Sequence, residues 1–461
     1  MLALSKKGVY KATAINQVER DLNGTPRDAA EKKAVLGIVV GLALLMFLAY
    51  RGMSIIWIAP LCAGIVALSG GLDLLQAYTA DYMTGFVGFV QAWFPVFMLG
   101  AIFGKVMDDS GAARSVAHWI TARIGTRRSI LAVVLGCAVL TYGGVSLFVV
   151  VFAMYPLAVA LFREANLSRK LIPGAIALGS FTFTMTAIPG SPQIQNLIPM
   201  KYYGTTPTAA PIMGIAAASI MLVAGMLWMM RSERKRTAAG EVYIELKDHM
   251  QAVDIAALPH PLISCLPLVT VILLLNLFDL SIIVALAAGI LLAIALTWSR
   301  LKHKVKTLND GAAGSVLAII NTSAAVGFGA VVRAVPGFQT LSDMVLGIPG
   351  NPLISQAVAV NVLAGATGSA SGGMGIALEA LGAEYMQLAI STGIPPEAFH
   401  RVASIASGGL DTLPHNGAVL TLLAVTAMTH KDSYQDIFMV GCVIPILAVS
   451  VAIALASIGL V

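Results

Sequence analysis

Charge is what this sequence has least of. Asp, Glu, Lys and Arg make up 11% of its residues, less than half the roughly 25% usual in soluble domains. At the same time 58% are hydrophobic and the mean hydropathy is +0.85. A water-soluble fold is excluded on that ground, because too little polar surface exists to cover it. Cysteine is scarce as well. Cys62, Cys137, Cys265 and Cys442 lie in separate apolar runs, which excludes metal-ligand spacing and a disulfide framework and leaves small apolar side chains. Residues 1–33 have no apolar stretch of the signal-peptide kind, so insertion is expected to start at a first span near Ala34. No G-x-S-x-G surrounds Ser146 or Ser191, which argues against an intramembrane hydrolase using them with His415. No span carries a polar stripe along its length, which argues against an open channel.

What is present is a series of apolar runs. Crossing a bilayer takes roughly 20 apolar residues, and 34–50, 212–230 and 437–458 meet that demand. The fold class expected is an all-α polytopic membrane protein. In the first half the candidate spans are 34–50, 53–69, 84–107, an amphipathic 110–125, a pair 129–142 and 146–163 joined at Gly143-Gly144, an interrupted 171–203, and 211–230. In the second half they are 261–277, 281–298, 312–332, a short segment at 335–348, a pair 354–367 and 371–388, an interrupted 398–430, and 437–458. The domain reading is a polar tail (1–33), a first repeat (34–230), a polar linker (231–259) and a second repeat (260–461). The formal net charge is +6, but the basic residues sit in short loops, as the positive-inside rule expects. Nucleic acid is therefore not an expected partner; the lipid bilayer is.

The repeat can be read by position. Phe103-Gly104 matches Phe328-Gly329, Gly143 matches Gly368, Ser146 matches Ser371 and Pro189 matches Pro414, all 225 apart. Basic segments at 114–128, 163–170, 231–236, 300–306 and 430–431 can all face the cytoplasm if 143–144 and 368–369 are tips of re-entrant hairpins. Five crossings per half then remain. An odd number inverts the second half relative to the first, the arrangement of many transporters. The same parity places residues 1–33 outside, against their seven Lys or Arg.

Chemistry is expected at the two interruptions, Pro189-Gly190-Ser191-Pro192 and Leu413-Pro414-His415-Asn416-Gly417. A helix broken inside the membrane leaves backbone groups without partners, which hydrocarbon does not tolerate. Two half-helix N-termini meeting there would suit a carboxylate. Polar residues gather at these places: Thr186, Ser191, Gln193 and Asn196, then Thr412, His415 and Asn416. Tyr142 and Ser146 stand at the first tip, and Thr367, Ser369 and Ser371 at the second. These are the candidate substrate-binding residues, weighed against ordinary helix-to-helix hydrogen bonding. Asp411 and His415 are the candidate proton-coupling groups, since ionisable residues within spans are functional suspects. If helical up to the break, Asp411 lies one turn before His415. Glu379 is a weaker candidate, and Arg401 is read as interfacial.

Three stretches carry a family resemblance: 103–111, 171–192 and Asp411-Thr412-Leu413-Pro414-His415-Asn416-Gly417-Ala418-Val419-Leu420. The last resembles the second binding-loop motif of the gluconate permease (GntP) family, and the similarity runs over about 34–458. The resemblance implies proton-coupled import of a small organic anion across a bacterial inner membrane, with no cofactor. It also implies two inverted repeats, opposed hairpins, an elevator-like moving domain and a homodimer. Gluconate members carry a glutamate at the first tip, where this sequence reads Tyr142-Gly143-Gly144-Val145-Ser146, and a His- and Pro-rich first loop, here 187–193. The less polar tip and loop point toward a less hydroxylated acid such as 3-hydroxybutyrate. Sodium is the alternative coupling ion, held by hydroxyl and carbonyl oxygens.

Overall fold

The computed structural model describes residues 26–51, 53–245, 257–340, 343, 347–348, 350–414 and 416–461. The described chain is helical and contains no strand. In an apolar run within lipid, the helix satisfies every backbone group inside its own segment. The helices of the first half are α1 (Pro26–Tyr50), α2 (Ile55–Ser69), α3 (Leu74–Asp109), α4 (Ala112–Ile124), α5 (Ser129–Tyr142), α6 (Leu147–Glu164), α7 (Ile172–Ser180), a single turn α8 (Phe183–Thr186), α9 (Ile194–Tyr203) and α10 (Pro211–Ala238). The second half has α11 (Pro261–Asn276), α12 (Ile282–Leu296), α13 (Lys304–Ala334), α14 (Pro352–Thr367), α15 (Ala370–Thr392), α16 (Pro396–Ser407), α17 (Gly417–Val425) and α18 (His430–Ser457). Side chains of Ser54, Asp73, Ser281 and Asn351 cap the starts of α2, α3, α12 and α14, each taking up an otherwise unpaired N–H.

Within the described residues, α3, α10, α13, α18 and the stretch Ala30–Ala49 of α1 are long and apolar enough to cross a bilayer unaided. Two packing groups are formed, and α13 of the first also packs along α15 of the second. In one, α1 and α2 pair, and α3 and α13 lie along each other with α2 and α12 alongside. Small residues allow this approach: a Cβ on Gly85 would sit 2.6 Å from Ala330, and the Tyr82 hydroxyl donates to the Ala324 carbonyl at 3.1 Å. The other group holds two helical hairpins, α5–α6 and α14–α15, and the broken helices α7–α9 and α16–α17. Its closing helices α10 and α18 pack on each other. The order recurs. Ser129 and Pro352, Leu147 and Ala370, Ile172 and Pro396, and Ile194 and Gly417 open corresponding helices, each pair within two positions of the 225 offset.

Three expectations are corrected. The last helix of the first half does not end at 230, because α10 continues to Ala238. Its Arg, Lys and Glu residues are good helix formers, and Arg236 finds Asp436 at 3.2 Å and Glu241 at 3.3 Å. The first interruption opens earlier than Pro189. Ser180, Thr182 and Thr184 turn their hydroxyls back onto the carbonyls of Ile176, Leu178 and Gly179, a competition with the helical ladder. The backbone leaves helical geometry at Thr182 (φ −117°, ψ −112°). Third, α16 ends at Ser407 before Gly408-Gly409, so Asp411 is not on a helix one turn before the break. The tail before Pro26, the stretch 246–256, part of the expected segment 335–348, and His415 lie outside the described residues.

Candidate functional site: two broken helices and their hairpin tips

Each break is fastened to the tip of the neighbouring hairpin. At the first, the Gln193 amide donates to the carbonyls of Thr141 (2.6 Å) and Val145 (3.4 Å). From the opposite side the Tyr142 hydroxyl donates to the Pro189 carbonyl at 3.1 Å. Gly144 makes the reversal with φ +93°, a conformation that glycine reaches without a Cβ penalty. Ser191 donates to the Thr184 carbonyl at 3.0 Å and receives the Gln193 N–H at 3.3 Å, folding the break back toward α8. Asn196 donates to the carbonyls of Ser191 (2.9 Å) and Pro207 (2.8 Å).

The second break repeats the device with other atoms. The Asn416 amide donates to the Gly368 carbonyl at 2.9 Å, while its oxygen accepts the N–H groups of Ala418 (2.6 Å) and Val419 (3.0 Å) at the start of α17. One residue thus caps a half-helix and holds the hairpin tip. At that tip, Ser369 caps α15 through the Gly372 N–H. Ser371 stands 3.5 Å from Ser369 and 3.4 Å from Thr322 of α13. Thr367 donates to the Leu363 carbonyl at 2.9 Å. Thr412 lies 3.1 Å from the Cys442 sulfur, and its carbonyl accepts from the Tyr434 hydroxyl at 3.2 Å. Cys442 lies in the short π-helical stretch Met439–Val443 of α18, where a Cβ on Gly441 would meet the Thr412 hydroxyl at 2.4 Å.

The two breaks touch. Ser404, on the helix entering the second break, donates to the Thr186 carbonyl at 2.7 Å. A Cβ on Gly408 would lie 2.9 Å from the Thr186 methyl. Asp411 is buried (5% exposed), and its Oδ1 has no hydrogen-bond partner among the described residues. Gly409 lies against the Asn361 side chain, whose Oδ1 is also without a partner among them.

Tyr142, Ser191, Gln193 and Asn196 therefore share one cluster. Thr367, Ser369, Ser371 and Asn416 share another, with Asp411 and Thr412 following Gly408 on the same break. Ser146 is half-buried at the start of α6, with no capping bond from its side chain. Most of these side chains hold backbone. Glu379 is engaged elsewhere, accepting from Tyr202 at 3.0 Å and lying 3.9 Å from Arg333. The reading of Arg401 as interfacial is overturned. Its exposure is 0%, because it lies on α16 against the first break, with its guanidinium on the carbonyls of Ala187, Pro207 and Ala209. His400 beside it is equally buried and meets Thr205 at 2.6 Å and Asn196 at 3.3 Å. Two adjacent ionisable residues, His400 and Arg401, within a run of small and apolar ones, Ala398 to Ala406, were the available signal.

Residues 33–389 match the sequence profile of the GntP family permeases. The chain belongs to that family. This permease is 45% identical over 446 residues to the transporter YxjC of Bacillus subtilis, covering 87% of the chain and 94% of that protein. It is 30% identical over 138 residues to the high-affinity gluconate transporter of Escherichia coli, covering 29% of the chain and 30% of that protein. Its fold resembles the Alcanivorax borkumensis YdaH transporter (TM-score 0.56, 14% identity, 92% of this chain and 98% of that one). It also resembles Neisseria gonorrhoeae MtrF (TM-score 0.51, 11% identity, 94% and 97%). The permease is thus an all-helical membrane transporter.

Asn416→Ala removes a helix cap, worth about 1–2 kcal/mol, together with the tie to Gly368. A lowered melting midpoint in detergent is expected, with a raised KM for uptake. Gln193→Ala, which cuts the first tip loose but leaves α9 without a lost side-chain cap, should raise KM with a smaller change in midpoint. Unchanged KM in both would remove the tips from the binding site.

Proposed function

We propose that this permease is a secondary active symporter that couples uptake of a small organic monocarboxylate, such as gluconate or 3-hydroxybutyrate, to proton entry. The observation that supports it most is the meeting of the two breaks at Thr186 and Gly408, with a buried carboxylate, Asp411, in the second, one oxygen of which has no partner among the described residues. An occluded carboxylate is stable only with a proton or another cation, and an anion arriving with that cation crosses as a near-neutral load. Kinship with a gluconate transporter supports this substrate class. The weakly polar first tip favours the less hydroxylated acid. Sodium in place of the proton is the rival reading, favoured by the clustered Ser369, Ser371 and Thr322 hydroxyls.

In this proposal Asp411, with His415, carries the proton. Tyr142, Ser146, Ser191, Gln193, Asn196, Thr367, Ser369, Ser371, Thr412, His415 and Asn416 form the substrate shell. The two halves are inverted repeats, the α1–α3 and α11–α13 group is the static scaffold of a homodimer, and the hairpins and broken helices move as an elevator in a bacterial inner membrane. The experiment is uptake of labelled gluconate and 3-hydroxybutyrate into proteoliposomes under separately imposed proton and sodium gradients. Accumulation driven by the proton gradient alone is expected. Accumulation driven only by sodium reassigns the ion, and uptake of neither acid removes the substrate class.

The seam between the two groups offers a readout of motion. A cavity of about 280 Å³ lies there, lined by Tyr142, Gly143 and Ile188 on one side and by Cys265, Leu268 and Ile272 of α11 on the other. Cys265 is partly exposed, whereas Cys62, Cys137 and Cys442 are buried. Under an elevator motion, maleimide labelling of Cys265 should change at least several-fold between substrate-free and substrate-saturated vesicles. A constant rate would count against sliding at this seam.

A further inference from the structure

Arg401 is the largest fully buried side chain in the described structure, and no carboxylate lies within ion-pair distance of it among the described residues. Every donor of its guanidinium is engaged by a neutral oxygen. Nε donates to the Ala209 carbonyl (3.0 Å), Nη1 to Ala187 (3.4 Å) and the Asn196 side chain (2.8 Å), and Nη2 to Pro207 (3.3 Å) and Ala209 (2.6 Å). The hydrogen bonds are complete, but the charge is not balanced. A lone buried cation is costly, and in a membrane protein such a group marks a pathway or a missing counter-ion.

Its position is specific to one break. Asn196 accepts from Arg401 and lies in the first turn of α9, so the cation stands directly behind that half-helix. The corresponding place in the first half, 225 positions earlier, is Ile176, so the charge has no symmetry mate. The breaks thus differ in sign. The first has a buried cation and no acid; the second has the buried acid Asp411. Their caps differ too: α17 is capped by Asn416, while Gln193 places no side-chain cap on α9.

We propose that Arg401 is the fixed counter-charge of the transported carboxylate, which docks at the first break, while the second break with Asp411 takes the coupling cation. Arg401 acts as a positioning residue. With all its donors engaged it does not touch the anion; it sets the potential at the break through Asn196 and the 187–209 carbonyls, in a low-dielectric site where such a field is weakly screened. The inference rests on the organic-anion reading above.

The test measures inhibition of uptake in proteoliposomes. Labelled gluconate or 3-hydroxybutyrate, whichever the wild type carries faster, is competed by the same acid unlabelled and by its neutral carboxamide. The wild type should prefer acid over amide strongly. Arg401→Met should lower that preference at least tenfold, mainly through KM, while Arg401→Lys, which keeps the charge and loses the planar fork, should retain most of it. Asn196→Asp sets a carboxylate against the guanidinium and should lower the preference as Arg401→Met does, which decides the matter if the Arg401 variants do not fold. Folding is scored by elution profile in detergent. An unchanged preference in a folded Arg401→Met or Asn196→Asp protein overturns the inference and leaves the transport reading standing. Uptake of neither acid by the wild type brings down both.

Discussion

Asp411→Asn leaves the permease able to exchange substrate across a bilayer but unable to concentrate it when only a pH difference is imposed. The side chain is buried, and one carboxylate oxygen is without a partner among the described residues. No ion pair to it is formed among the described residues. A carboxylate so placed is stable when occluded only if it brings a proton or another cation with it. Asparagine has the same shape and takes no proton. A one-unit pH difference is worth about 1.4 kcal/mol per proton, so the wild type should sustain about tenfold accumulation and the variant none, while counterflow exchange stays within a few-fold of normal. Full accumulation by the variant under a pH gradient alone would falsify the role given to Asp411. Loss of exchange as well as accumulation would show a group needed for folding or for the carrier motion.

Gly373→Ala should be the most damaging single-methyl change in the second hairpin. A Cβ there would stand 2.1 Å from the Ala364 nitrogen and 2.2 Å from its Cα. The obstacle is backbone, so no rotamer relieves it, and α14 and α15 must separate. Overpacking usually costs about 1–3 kcal/mol; a clash between main chains should exceed that and lower the melting midpoint by at least about 3 °C in a chain of this length. Gly88 in α3 is the control. An added methyl meets nothing within 4 Å there, and alanine is the better helix former by about 0.8–1 kcal/mol, so Gly88→Ala should be neutral or mildly stabilising. Equal midpoints for the two variants would show that the hairpin legs are not as close as described.

The spans were legible because lipid leaves the backbone few choices. A long apolar run reads as a helix, and a Gly-Gly or Gly-Ser pair amid two such runs reads as a tip. The 225-residue repeat was legible for the same reason: Pro189 and Pro414 break the same element twice. What escaped depended on hydroxyls and on three-dimensional neighbours. Ser180, Thr182 and Thr184 look like ordinary helix residues until their hydroxyls are seen bonding the preceding turn, so the early end of α7 was missed. The continuation of α10 to Ala238 was hidden because its charge looks like a loop, and one of the partners of Arg236 is Asp436, 200 positions later. Arg401 was set aside as interfacial, and its partners include backbone carbonyl oxygens, which every sequence contains. Of the named site residues, Tyr142, Gln193 and Asn416 could be placed at tip and break from spacing alone. That their amides and hydroxyls fasten backbone was readable only from coordinates.

The long pairing of α3 with α13, and of α10 with α18, bears on how the chain is made. Each of these contacts joins a helix from the first half to one from the second, and Arg236 at the end of α10 waits for Asp436 at the start of α18. A ribosome that has finished residue 245 has delivered α3 and α10, whose main partner helices are still to come. The insertion machinery must shelter them until nearly the last span emerges, and two separately expressed pieces divided between 246 and 256 should find each other in the bilayer by those same faces.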